Sequence, residues 1–204
     1  MNRDAFLKRV RDALGHNANT PPSRPPAPPL STAAPRDIKA LVARFKERNE
    51  LVLGRVWVVD TLEQGRARLT ELLEGTRTYC RTSHPILNDL RLEELVRDKF
   101  LAEPKDADVG ISGAEFAVAE TGTVALSSTH GRLVTLLPYH HVVVLRAAQI
   151  LPDLEDLYGT LDQLELPSAF GMHSGPSKSA DIEQTMALGV HGPGKVDIVV
   201  IHEA

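Results

Sequence analysis

Apolar positions along this chain switch between a helical spacing of three to four residues and short continuous or alternating runs, and the switching predicts its elements. Phe6, Leu7, Val10 and Leu14 share one face of a short helix over residues 2–14. Ile38, Leu41, Val42 and Phe45 do the same for a helix over 37–49. Val56–Val59 then reads as a buried strand, 62–73 as helix, Thr78–Cys80 as strand and 90–99 as helix. Asp108–Ile111 is a short strand, and His141–Leu145 a continuous apolar one. Val124–Leu126 and Leu133–Leu137 read as a pair of strands turned at 128–131. Helix over 152–161 and strands at Phe170–His173 and Val196–Ile201 complete the series. Strands that alternate with helices predict an α/β fold around a largely parallel sheet, with a short antiparallel pair in the middle.

Composition interrupts this pattern once. Seven of the 14 prolines fall between Pro21 and Pro35, which predicts an extended tether rather than helix or sheet. The chain therefore divides into an arm, residues 1–36, and a domain, residues 37–204. Among 204 residues only 4% are aromatic, so the core is expected to be aliphatic. A formal charge of -4 gives no electrostatic reason to expect nucleic acid. No apolar run is long enough to span a membrane, and residues 1–14 lack the apolar stretch of a secretion signal. The expectation is a soluble, cytoplasmic protein. Cys80 is the single cysteine, which excludes a disulfide within the chain and a four-cysteine iron–sulfur cluster held by it alone. No dinucleotide fingerprint or Walker A motif is present, so no cofactor is assigned.

The candidate chemistry sits in two glycine-rich blocks. The first is Asp108-Val109-Gly110-Ile111-Ser112-Gly113-Ala114-Glu115-Phe116-Ala117-Val118-Ala119-Glu120-Thr121-Gly122-Thr123. The second runs Ser174-Gly175-Pro176-Ser177-Lys178-Ser179-Ala180-Asp181-Ile182-Glu183 and, after an interval, closes on Gly189-Val190-His191-Gly192-Pro193. Ser112 and Gly113 directly follow the Asp108–Ile111 strand, at the kind of end where ligands gather in parallel sheets. Glu120, at a loop–strand junction, is the candidate general base or acyl-transfer nucleophile; alternatively it only holds a turn. Thr121, Gly122 and Thr123 offer hydroxyl and N–H donors for a carboxylate or phosphate. Gly175, Ser177 and Lys178 precede an expected helix start, an anion-attracting place. Asp181 and Glu183 oppose an anion there and fit a plain capped helix equally well, unless the ligand brings hydroxyls or a metal. His191, fixed by a glycine–proline turn, is the candidate proton shuttle. His140 and His141 point to opposite faces of a strand, one half-buried and one solvated. Glu115 reads as structural, and no metal ligand is assigned because no zinc spacing is present. If the blocks form one site, Glu120 and the Gly175–Ser179 loop meet at the sheet's carboxyl edge with His191 at the rim.

Taken in order and with their spacing, the two blocks and Leu137-Pro138 resemble the LUD domain family over about residues 37–204. The resemblance implies a three-layer fold like that of the sugar-phosphate isomerases and coenzyme A transferases. It also implies a part in oxidising L-lactate to pyruvate beside iron–sulfur partner proteins. Two functions follow from it: a subunit with a small-molecule carboxylate or phosphate site, or a non-catalytic interaction subunit that assembles those partners. In the second, the arm docks on a partner or on another copy of the chain. An isomerase or coenzyme A transferase activity ranks below both, because fold does not carry chemistry.

Overall fold

The computed structural model describes residues 2–15, 36–180 and 186–203. The chain divides into two units, Met1–Ala33 and Ala34–Ala204. In the first, helix α1 (Arg3–Leu14) starts where the Asn2 side chain accepts from the Ala5 N–H, and stops at Gly15 in the left-handed region. Phe6 and Val10 on this helix are exposed. The proline-rich stretch lies outside the described residues.

In the second unit the elements follow the expected alternation. Helix α2 (Ile38–Leu51) is capped by Asp37 and leads through a turn into β1 (Arg55–Val59). Helix α3 (Leu62–Leu72), capped by Thr61, precedes β2 (Thr78–Arg81). The next stretch is α4 (Ile86–Asp89), α5 (Leu92–Leu95), β3 (Phe100–Leu101) and β4 (Val109–Gly113). Then come β5 (Phe116–Val118), β6 (Thr123–Ser127), β7 (His140–Arg146) and β8 (Ile150–Leu151). Helix α6 (Leu154–Leu161), β9 (Phe170–His173), β10 (Lys178–Ala180), β11 (Met186–Leu188) and β12 (Lys195–Ile201) end the chain.

Strands β1-β12-β7-β4-β2-β3, in that order, form a six-stranded sheet with every pair parallel. A four-stranded sheet, β8-β5-β6-β9, contains two antiparallel pairs, and β10-β11 is a separate antiparallel ribbon. The class is the α/β one expected. Alternation along β7 and β12 divides the core: Val143, Leu145, Ile198 and Val200 pack with Phe45 of α2 and Val124 and Leu126 of β6. Val142, Val144, Val199 and Ile201 pack on the other face with Leu69, Leu87 and Leu92 of α3 to α5. Helix α6 closes the outer face of the small sheet through Leu157 and Leu161 against Val118 and Ala125.

Three local expectations are corrected. Leu133–Leu137 is not a strand: Arg132–Thr135 is a 3-10 helix, with the Thr135 hydroxyl donating to the Arg132 carbonyl at 2.9 Å. β6 pairs instead with β5, across the Glu120–Gly122 turn, and with β9. Of the helix expected over 90–99 only the single turn α5 forms; it follows Arg91 at φ 48, and the other turn, α4, lies before residue 90. Lys178 opens a strand rather than a helix, because Ser179 pairs with Ala187 and Gly189 N–H donates to Ser177 O.

Candidate functional site

The two blocks meet, but at the amino edge of the large sheet. After β4 reaches the carboxyl edge, β5 carries the first block back, and its turn to β6 lies against the end of α2. There the buried Asn49 donates its side-chain N–H to Gly122 O at 2.6 Å. Gly122 has φ 66, and a Cβ on it would stand 2.3 Å from the Asn49 backbone nitrogen, so glycine is required twice over. Beyond the turn a row of hydroxyls joins the blocks: Thr121 Oγ1 to Thr123 Oγ1 at 2.7 Å, and Thr123 Oγ1 to Ser174 Oγ at 2.7 Å. The residues that follow belong to the second block. Ser177 N–H donates to Pro193 O at 2.8 Å, which ties the block to the turn that leads into β12.

A cavity of about 260 Å³ opens at this junction, lined by His141, His173, Ser174, Gly175, Ser177 and His191 among others. A second, of about 240 Å³, shares His173 and Leu136 with it and carries Arg132. His141 is buried on the large sheet, and its Nε2 lies 2.8 Å from Ser112 Oγ of the neighbouring strand. Burial, helped by the nearby His173 and His140, pushes His141 down to about 3, so its imidazole is neutral at physiological pH. Burial also lowers His173. Arg132 is exposed and has no acidic partner among the described residues. The arrangement therefore presents neutral imidazoles and hydroxyls inside and one uncommitted cation at the side. Such a surface can bind a small anion and offer it hydroxyl and neutral ring-nitrogen partners.

Of the residues singled out from sequence, Gly175, Ser177 and His191 line the cavity. Thr121, Gly122 and Thr123 support it from the hydroxyl row and the turn. Glu120 is half-buried outside the lining, with its N–H on Pro152 O at 3.0 Å. Lys178 is turned away: its Nζ donates to Val52 O at 2.5 Å, so it is committed to the α2–β1 turn. Asp181 and Glu183 lie outside the described residues. Gly113 is at the opposite, carboxyl edge. His140 and His141 do face opposite ways, but both are buried, since His140 turns onto Asp197 at 2.8 Å. Ser112 and Arg132 were assigned no role, although Ser112 lies inside the first block. Nothing in the local pattern says that Arg132 reaches a cavity.

The LUD domain family model matches residues 50–201. The chain belongs to the LUD domain family. Its relatives include "Lactate utilization protein C" of Shouchella clausii, 30% identical, with 99% of this chain and 98% of the relative covered. A protein of the same name from Anoxybacillus flavithermus is 28% identical, with 97% and 98% covered. "Uncharacterized protein YkgG" of Escherichia coli is 28% identical, with 99% of both covered. The crystal structure of a DUF162 family protein from Deinococcus radiodurans shares the fold, with a TM-score of 0.59 and 19% identity over 82% of this chain and 99% of that one.

Two further polar clusters flank this LUD domain's sheet. At the amino edge, on the face opposite His141, the buried Asp197 accepts from Arg55, Trp57 and His140. At the carboxyl edge, Glu115, expected to be structural, stands between His84 and His130. The neighbouring His84 holds the Glu115 carboxyl below its ordinary value; burial opposes this and His130 adds to it. Among the described residues no helix is long and apolar enough to cross a membrane.

Proposed function

We propose that this LUD domain serves L-lactate utilisation and that its amino-edge cavity takes a small α-hydroxy- or α-keto-carboxylate, lactate or pyruvate in class. The observation that carries the reading is a cavity lined by the second block, which the first block abuts through the Thr123–Ser174 hydroxyl pair, with Arg132 in the adjoining cavity. Arg132 offers a charged fork to the carboxylate. His173 and His191, with Ser177, offer partners for the hydroxyl or keto oxygen. His191, held by its glycine–proline turn, is the group assigned to take up the hydroxyl proton. In this reading the Cα–H bond breaks as well, and its proton and the two electrons of the oxidation pass to the iron–sulfur partner proteins. The names of the lactate utilisation relatives support the physiological setting, and the cavity supports the ligand class.

The test is thermal unfolding of the full chain with L-lactate, pyruvate and acetate. A ligand at a hundred times its dissociation constant adds about 2.7 kcal/mol, which raises the melting temperature of a chain this size by about 5–10 °C. Lactate or pyruvate is expected to do so, acetate less, and Arg132→Ala and Ser177→Ala to reduce the shift at unchanged ligand-free stability. No shift with any of the three acids refutes the ligand assignment.

The exposed Phe6 and Val10 on α1 favour a second reading, a subunit that assembles partners through its arm. Deleting residues 1–35 separates the two. Loss of partner co-purification with the ligand shift intact supports assembly through the arm; unchanged assembly removes it.

A further inference from the structure

We propose that His84, Glu115 and His130 form a binding site for a divalent transition-metal ion at the carboxyl edge of the large sheet. The site is separate from the amino-edge cavity and does not rest on the lactate reading. Each residue offers one donor atom, and the three atoms lie within 4.8 Å of one another. His130 Nε2 is 3.3 Å from one Glu115 oxygen, and His84 Nε2 is 3.7 Å from the other. An ion held at ordinary bond lengths needs its ligand atoms about 3.0–3.4 Å apart. The glutamate–histidine separations are thus at or near that spacing already, and modest inward rotation closes the rest.

Three separate segments bring the donors together, and each is anchored by the fold. His84 follows β2 and Glu115 follows β4, neighbours in the parallel sheet, so both sit where the strands end. His130 ends a 3-10 turn after β6, and Ser83 N–H donates to its carbonyl at 3.1 Å, locking two of the segments together. Glu115 is held through its backbone: its N–H donates to Ala125 O at 2.9 Å, and its carbonyl accepts from the Gln149 side chain at 3.0 Å. Gly113 makes room for the buried His84 ring, since a Cβ there would lie 2.1 Å from His84 Nδ1.

One outer contact is placed as the support of a metal-bound histidine is. Ser83 Oγ lies 3.3 Å from His130 Nδ1, leaving Nε2 for the ion. Ile86 N–H stands 3.4 Å from His84 Nδ1, too long a contact to fix the tautomer. The two rings meet edge to face at 5.0 Å. Two imidazoles and one carboxylate select a borderline ion, zinc, iron, cobalt or nickel, over the all-oxygen preference of calcium and magnesium. Glu115 and His130 also line a cavity of about 250 Å³ whose walls include Ser127, Thr129 and Phe170. With three protein ligands and this space beside them, the ion keeps open positions, as catalytic rather than structural sites do.

The experiment is a titration of the chelator-stripped full chain with Co²⁺ and with Zn²⁺. Calorimetry and the visible absorption of bound Co²⁺ report binding, and the histidine ring signals in NMR report which residues respond to Zn²⁺. Expected are one equivalent bound, shifts of the His84 and His130 ring signals with His202 unmoved, and affinity lost tenfold or more in Glu115→Gln and in His130→Gln. Melting in metal-free buffer checks that each variant is folded, and the NMR arm decides on wild-type protein if one is not. Absence of stoichiometric binding at micromolar metal, shifts confined to other histidines, or folded variants that bind as the wild type does each overturn the proposal.

Discussion

Replacing Asp197 by Asn removes one charge from the interior and should cost about 3 kcal/mol of stability at neutral pH. Asp197 is fully buried, and its two oxygens are shared out: Oδ1 accepts from Trp57 Nε1 at 2.9 Å, while Oδ2 accepts from His140 Nε2 at 2.8 Å and Arg55 at 2.5 Å. Asparagine can keep its oxygen toward Trp57, but its amide nitrogen then faces two donors. The His140 bond is buried, and its loss costs about 2 kcal/mol. Arg55 is 48% exposed, so solvent screening limits that contribution to about 1 kcal/mol. For a chain of this size the total corresponds to about 6–12 °C in melting temperature.

The same carboxylate sets a pH signature. Burial pushes Asp197 up, but the bonds from His140, Trp57 and Arg55 outweigh it and hold it at about 2. A depressed carboxylate contributes stability that is complete above its unfolded value, near 3.9, and is lost as pH falls through the folded one. The contribution is about 2.5 kcal/mol at pH 7, with about half gone at pH 3. Urea unfolding of wild type and Asp197→Asn from neutral pH to pH 3 should therefore show two curves that converge toward acid. A difference below about 1 kcal/mol at neutral pH, or one that does not narrow, refutes the reasoning.

Other outcomes follow from single contacts. His141, at about 3 in the fold, refuses a proton that the unfolded chain accepts near 6.5. Stability should consequently fall by up to about 1.4 kcal/mol per pH unit as pH drops below 6.5 toward 3, and His141→Gln should flatten that slope in acid unfolding curves. Gly122→Ala places a Cβ on the Asn49 backbone at positive φ and should lower stability by about 2 kcal/mol or more in urea unfolding. Lys178→Met, which gives up the bond to Val52 O at an exposed site, should change stability by less than about 1 kcal/mol. It should also leave any lactate or pyruvate shift intact; loss of that shift would return Lys178 to the ligand.

How much of the candidate site was legible depended on range. Gly175, Ser177 and His191 were found because glycine and proline mark turns that crowd other groups, a purely local signal. Ser112, Arg132 and His84 could not be found that way, since each matters only through a neighbour distant in sequence. The carboxyl-edge expectation failed for a definite reason: β5 reverses the first block, so Gly113 and Gly122 lie at opposite edges of the sheet although nine positions separate them.

By itself the sequence determined the helices, capped at Asp37, Thr61 and Asp153, and the apolar strands that must be buried, because these follow from local hydrogen bonding and periodicity. It also determined the family, through two motif blocks in fixed order. Only the tertiary structure decided that Leu133–Leu137 coils over the sheet instead of pairing, that Lys178 starts a strand, and that His84, Glu115 and His130 share one place. The physical reason is that strand pairing, burial of a polar side chain and convergence of donors are settled by long-range contacts, whose partners no local window of residues contains.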